Sequence, residues 1–181
     1  MTNEIEILGD VAQKLGLAGI AYMLTGSMAM SHYAIPRFTR DIDLIVQLKT
    51  EDADKIHAIF SEQYYLSRPA VSNAISRESM FNLIHFQYSI KVDFVVLKSS
   101  EYRQVEFARK QRAKMNGFMV WIVSKEDLIL SKLLWAKDSH SEMQLNDVKN
   151  LMATDYDVAY IRQWTQALNL QSLFEECLSN D

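Results

Sequence analysis

Residues 21–48 constrain the fold more than any other stretch. Ala21-Tyr-Met-Leu-Thr25 is a short apolar run that enters Gly26-Ser27 without a linker. Met28-Ala-Met-Ser-His-Tyr-Ala34 follows with helical character. Pro36 ends it, because a proline ring cannot continue the helical hydrogen-bond pattern. Ile42 to Leu48 is a second strand, opened by Asp41-Ile-Asp43. Strand side chains alternate between faces, so Asp41 and Asp43 point one way while Ile42 and Leu44 point into the core. Two like charges side by side repel, which makes the pair a poor choice for stability alone. A divalent cation removes that conflict, and Mg2+ is often held by one or two carboxylates together with substrate phosphates.

The Gly26-Ser27 turn suits a phosphate. Glycine lets the backbone approach a ligand closely. The first N–H groups of the following helix are unpaired and partly positive. Ser27 adds a hydroxyl donor. A third carboxylate, Asp93, sits in Lys91-Val-Asp-Phe-Val-Val with Val92 and Phe94 on the opposite side. If its strand lies beside Asp41 and Asp43, the three carboxylates converge. They would then support two metals, with Asp93 as ligand or general base for an attacking hydroxyl.

Gly26-Ser27, a helix, then Arg37-Phe-Thr39-Arg-Asp41-Ile-Asp43-Leu resembles the signature of the nucleotidyltransferase superfamily, the DNA polymerase β-like fold. The pattern is most similar to the branch of AbiEii-type toxins of type IV toxin–antitoxin systems and small bacterial nucleotidyltransferases. The resemblance covers roughly residues 20–150. It implies an α+β fold, a mixed sheet flanked by helices with a helical C-terminal region. It also implies metal-binding aspartates at Asp41, Asp43 and Asp93. Nucleotide contacts would come from Gly26, Ser27, Arg37, Thr39 and Lys132, the last lying in Ser124-Lys-Glu-Asp-Leu-Ile-Leu-Ser-Lys. Lys137-Asp138 … Asp147 is similar to the branch's closing motif, with a longer spacing. The implied cofactor is Mg2+, two ions, with Mn2+ as a substitute. The implied substrate is an NTP. The acceptor would be a tRNA, a protein or a small molecule, and an antitoxin protein would be a candidate partner. The competing reading is a catalytically weak nucleotide- or partner-binding module on the same fold.

The rest of the chain frames this motif. Ile5, Leu8, Val11 and Leu15 have helical spacing, with Gly16 as the expected C-cap. Thr50 is the expected N-cap of a helix with an acidic first turn. Phe81–Phe86 and Ile90–Leu97 read as a hairpin, Glu101–Lys114 as a charged helix and Phe118–Val123 as a strand. Ser124 and Asp127 begin a helix in a capping-box pattern, and the pattern from there on is helical. Residues 1–120 are therefore expected to form the α/β core, and 121–181 a helical region packed on it.

Arg37 and Arg40 read either as surface charges or as partners that neutralise Asp41 and Asp43, and the resemblance favours a functional or supporting role for Arg37. The cluster Arg103 … Arg109-Lys110-Gln-Arg112-Ala-Lys114 is either a solvated helix face or a platform for RNA phosphates. His32, His57, His85 and His140 show no metal-ligand spacing, and His32 is the one expected to border the site. Trp121, Trp135 and Trp164 are expected in packing. A net charge of -4 argues against tight non-specific nucleic-acid binding. Cys177 alone excludes a disulfide framework. The N-terminus opens acidic, without the basic region and apolar run of a signal peptide. No stretch approaches the ~20 apolar residues a bilayer span needs. These features predict a cytoplasmic protein with no membrane partner.

Overall fold

The computed structural model describes residues 3–36 and 39–179. Their elements run α1 (Asn3–Leu17), β1 (Tyr22–Thr25), α2 (Gly26–Tyr33), β2 (Ile42–Val46), α3 (Asp52–Phe60), β3 (Tyr64–Tyr65), α4 (Arg68–Ser76), β4 (Met80–His85) and β5 (Lys91–Val96). Then follow α5 (Glu101–Ala108), β6 (Gln111–Met115), β7 (Phe118–Ile122), α6 (Lys125–Ser139), α7 (Glu142–Met152), α8 (Val158–Leu168) and α9 (Gln171–Leu178). The strands form one mixed sheet in the order β3-β4-β5-β2-β1-β7-β6. This is the α+β architecture expected from the sequence, a mixed sheet flanked by helices and followed by a helical C-terminal region.

Pairing directions decide what meets at the sheet. β1 and β2 are antiparallel, so the end of β1 lies beside the start of β2, with Thr25 opposite Asp43. β2 and β5 are parallel, so their starts coincide, with Asp43 beside Asp93. β4 returns antiparallel to β5 and places Asn82 beside Asp93. One row of side chains, Thr25, Asp43, Asp93 and Asn82, therefore crosses four strands on one face.

The opposite face is apolar and covered. Phe94 packs edge-on against Phe60 of α3 at 5.7 Å and against Phe81 at 5.2 Å. Leu8, Val11 and Leu15 of α1 are fully buried in the same continuous core. On the carboxylate side, α2 packs on β2 and α6. α6 is buried nearly all round, from Leu128 to Leu133, as a central helix must be. Its start is capped as expected: Ser124 Oγ accepts from the Asp127 backbone N–H at 3.2 Å. Among the described residues no helix is long and apolar enough to cross a membrane.

Several expectations are corrected. α1 ends past Gly16, on Gly19. Gly19 has φ +68°, and Ile20 N–H reaches back to Leu15 C=O at 3.0 Å. That is a Schellman closure, which requires a residue comfortable in the left-handed region. The N-cap of α3 is Glu51 rather than Thr50; instead, Asp52 accepts from the Lys49 N–H at 2.8 Å. The predicted helix 101–114 stops at Ala108, and residues 111–115 are strand β6. β6 pairs with β7 through Asn116-Gly117, both at positive φ. This is the two-residue loop that favours a hairpin, and its Asn-Gly signal outweighs helical charge spacing. The basic cluster is therefore split between two elements and is not one helix face. β3 and α4, in the polar stretch before β4, had no sequence expectation.

Candidate active site

The site begins where β1 turns into α2. Gly26 has φ +65°, and a Cβ there would fall on the Asp43 carboxylate, 2.8 Å from its Cγ and 3.0 Å from its Cβ. Only glycine lets the helix start this close to the strand. The N-terminus of α2 thus abuts Asp43, and Ser27 occupies its first turn.

Asp43 and Asp93 lie side by side at the start of two parallel strands. Asp93 is buried, with 6% of its surface exposed. It accepts a hydrogen bond from the Asn82 amide and an ion pair from Lys91 Nζ at 2.8 Å. Lys91 also stands 3.9 Å from Asp41, whose side chain is largely exposed just before β2. Thr39 Oγ1 accepts from the Asp41 backbone N–H at 3.2 Å, which steadies the approach to the strand. Burial first, then the neighbouring carboxylates of Asp93 and Asp41, push Asp43 up to about 6; Lys91 and Lys132 pull the other way. The fold therefore keeps a carboxylate where its charge is disfavoured, a usual mark of a functional site.

Lys132 is buried on α6 and close enough to Asp43 to act on it electrostatically. Its ammonium donates to Asp147 Oδ2 at 2.6 Å and to Gln144 at 3.3 Å. Asp147 is thus joined to Lys132 within the core. Arg37 falls outside the described residues. The structure therefore gathers Asp41, Asp43, Asp93, Gly26, Ser27, Thr39 and Lys132 around one end of the sheet.

Other residues divide differently. Arg103 donates to Glu106 at 2.7 Å and to Ser131 at 2.6 Å. Arg109 pairs with the fully buried Asp127 at 2.9 Å and stacks 3.9 Å over Tyr160. Arg103 and Arg109 thereby tie α5, α6 and α8 together. Trp164 packs on Tyr102 at 5.0 Å, as expected for a packing residue. Trp135 is 70% exposed, contrary to that expectation. His32 stands in the last turn of α2, edge-on to Tyr33 at 4.9 Å and away from the Gly26 end that faces the carboxylates.

Two contributors were missed in the sequence, Asn82 and Lys91. Lys91 was legible, since it lies two residues before Asp93 and therefore on the same strand face. Asn82 was not, because its place depends on the register between β4 and β5.

Among the described residues no group of three carboxylate, imidazole or thiol side chains is close enough to hold a metal ion as it stands. The donor chemistry fits a hard divalent cation nonetheless. The available ligands are the carboxylate oxygens of Asp41, Asp43 and Asp93, the kind such a cation prefers.

No protein-family model matches the chain, and no curated protein matches it. Solved structures do. The antibiotic-resistance factor ANT(2'')-Ia, in its solution structure, is 13% identical, with 96% of this chain and 95% of that chain aligned at a TM-score of 0.67. An antigenic nucleotidyltransferase-like protein from Paracoccidioides brasiliensis is 16% identical over 97% of this chain and 87% of that chain, with a TM-score of 0.64. The lincosamide antibiotic adenylyltransferase LnuA, lincomycin-bound, is 15% identical over 84% of this chain and 96% of that chain, with a TM-score of 0.54. At these identities the likeness is one of fold, and it agrees with the architecture expected from residues 26–43: the chain has the nucleotidyltransferase fold.

Proposed function

We propose that this chain is a metal-dependent nucleotidyltransferase that moves NMP from an NTP to a hydroxyl of a small-molecule acceptor. The observation that carries the reading is the row Thr25–Asp43–Asp93–Asn82, set against the N-terminus of α2 at Gly26. It combines a phosphate-accepting helix end with carboxylates kept ionisable at its mouth.

The NTP phosphates lie against the Gly26-Ser27 N–H groups, with Arg37 and Lys132 as further cations and Thr39 orienting Asp41. Asp41, Asp43 and Asp93 would hold the divalent cation, Mg2+ or Mn2+, which when bound neutralises phosphate charge and acidifies the acceptor hydroxyl. Asp93 takes the hydroxyl proton. The acceptor oxygen forms its bond to the α-phosphorus as the bond to the β-phosphate oxygen breaks, and pyrophosphate departs. Asn82 keeps Asp93 aimed at the reacting hydroxyl. The protein's contribution is mainly positioning and preorganised charge.

Two of the structural neighbours support a small acceptor. LnuA was solved with lincomycin, and ANT(2'')-Ia was also solved with adenylyl-2''-tobramycin. The engagement of Arg103 and Arg109 in ion pairs within the fold weakens the argument for a tRNA acceptor. The AbiEii-like spelling of residues 37–43 keeps a toxin role with an antitoxin partner as the second reading. We place the protein in the cytoplasm, where NTPs are supplied.

The test offers α-labelled NTPs, with Mg2+ or Mn2+, to a panel of aminoglycosides, lincosamides, total tRNA and lysate protein. Label should pass to a small molecule, and Asp43→Asn and Asp93→Asn should each cut transfer by at least about a thousandfold. Undiminished transfer by Asp43→Asn, or transfer of γ-label in place of α-label, overturns the mechanism. Label on tRNA or protein overturns the acceptor class. Growth arrest on expression, reversed by an adjacent gene, would favour the toxin reading.

A further inference from the structure

Lys91 places a positive charge among the carboxylates read above as metal ligands. Its ammonium lies 2.8 Å from Asp93 and 3.9 Å from Asp41, and it acts electrostatically on Asp43 as well. The strand register brings Lys91 within reach of both carboxylates. Lys91 and Asp93 share a face of β5, and the Ile42–Val92 pairing sets Asp41 beside Lys91. A hard divalent cation bound by these carboxylates must sit about 2.0–2.5 Å from their oxygens. The ammonium and the metal would then lie a few ångströms apart, two like charges competing for the same ligands.

The side chain has somewhere to go. It is 44% exposed, and lysine's flexible four-carbon stem lets the charge swing. A cavity of about 280 Å³ opens beside it, walled by Glu4, Arg40, Asp41, Tyr88 and Ser89 together with Lys91 itself. Glu4 supplies a carboxylate there.

We infer that Lys91 is the built-in counter-ion of this site: its ammonium holds the cation position in the metal-free protein and turns out toward the Glu4 cavity when a divalent ion loads. The inference rests on the reading of Asp41, Asp43 and Asp93 as metal ligands. It adds that Lys91 weakens metal affinity and in exchange keeps the carboxylate cluster stable without metal. Loading then becomes an exchange of one cation for another, so the clustered carboxylates keep a counter-charge throughout.

The experiment measures Mn2+ binding to the purified chain, without nucleotide, by the loss of the free-ion EPR signal. Lys91→Gln should bind Mn2+ at least about tenfold more tightly than wild type, because no ammonium then has to be displaced from Asp93 and Asp41 before the ion enters. Lys91→Arg keeps the charge and should stay within about threefold of wild type. Melting in chelator supplies the second readout: Lys91→Gln should melt below wild type, and saturating Mn2+ should raise its Tm by more than it raises that of wild type. Equal or weaker Mn2+ binding by Lys91→Gln overturns the counter-ion role and leaves the proposed function standing. Failure of both proteins to bind Mn2+ overturns both. A Lys91→Gln chain that melts like wild type in chelator removes the protective half of the inference.

Discussion

Replacing Gly26 by alanine tests the geometry of the site at its tightest point. Two costs can be separated. The first is conformational: φ is +65° at this position, and a non-glycine residue held there loses roughly 1–2 kcal/mol. The second is steric. The new Cβ would meet Asp43 at its carboxylate and 3.0 Å from its Cβ, so helix α2 or strand β2 must give way, at a further ~1–2 kcal/mol. The sum is roughly 2–4 kcal/mol, which for a chain of this size lowers Tm by about 4–16 °C. Urea denaturation with melting in parallel measures it. Asp43→Gly removes all three close contacts, so the double variant isolates the steric part. Gly26→Ala should cost only the conformational 1–2 kcal/mol in that background. A displacement of about 1 Å at Asp43 should also reduce nucleotidyl transfer by about a hundredfold. Equal destabilisation in both backgrounds, or a cost under about 0.5 kcal/mol in wild type, would refute the claim that glycine is required by the approach of α2 to Asp43.

Two further expectations follow from charge and burial. Asp43 is held up to about 6 against 3.8 for a free carboxyl, so the folded chain binds more protons than the unfolded chain between those values. In chelator its stability should fall as pH rises through that window, by at most about 3 kcal/mol. Asp43→Asn should be flatter with pH, more stable than wild type at pH 7.5 and level with it below about pH 4; denaturation curves in which it is less stable at pH 7.5 would contradict this. Lys132→Met removes the counter-charge of the buried Asp147, 2.6 Å away, and should cost about 3–5 kcal/mol of unfolding free energy. Lys132→Met with Asp147→Leu should recover much of it, and a double variant no better than the single one would argue against a buried ion pair.

Local order was largely legible in the residues, because it depends on neighbours in the chain. The turn at Gly26-Ser27, the strand at Ile42–Val46, the helix begun by Ser124 and the hairpin over 80–96 each follow from alternation, helical spacing or a capping residue. The misreading of 111–115 came from weighting charge spacing over the Asn116-Gly117 turn, a local signal that was present. Both Gly16 and Gly19 lie near the end of α1, and only the left-handed φ at Gly19 marks it as the closing residue.

By itself the sequence determined that two carboxylates share a strand face, that a glycine turn and helix start precede them, and that a third carboxylate stands on a later strand. Those are properties of period and spacing along one chain. Only the tertiary structure decided that β5 lies parallel and in register beside β2, which brings Asp93 next to Asp43 and Lys91 next to Asp41. It likewise decided that α6 folds back to bring a buried Lys132 near the carboxylates, and that the basic residues 103–109 are taken up in packing. Strand order and register are set by which apolar faces bury best together, and that balance is struck among residues far apart in the chain.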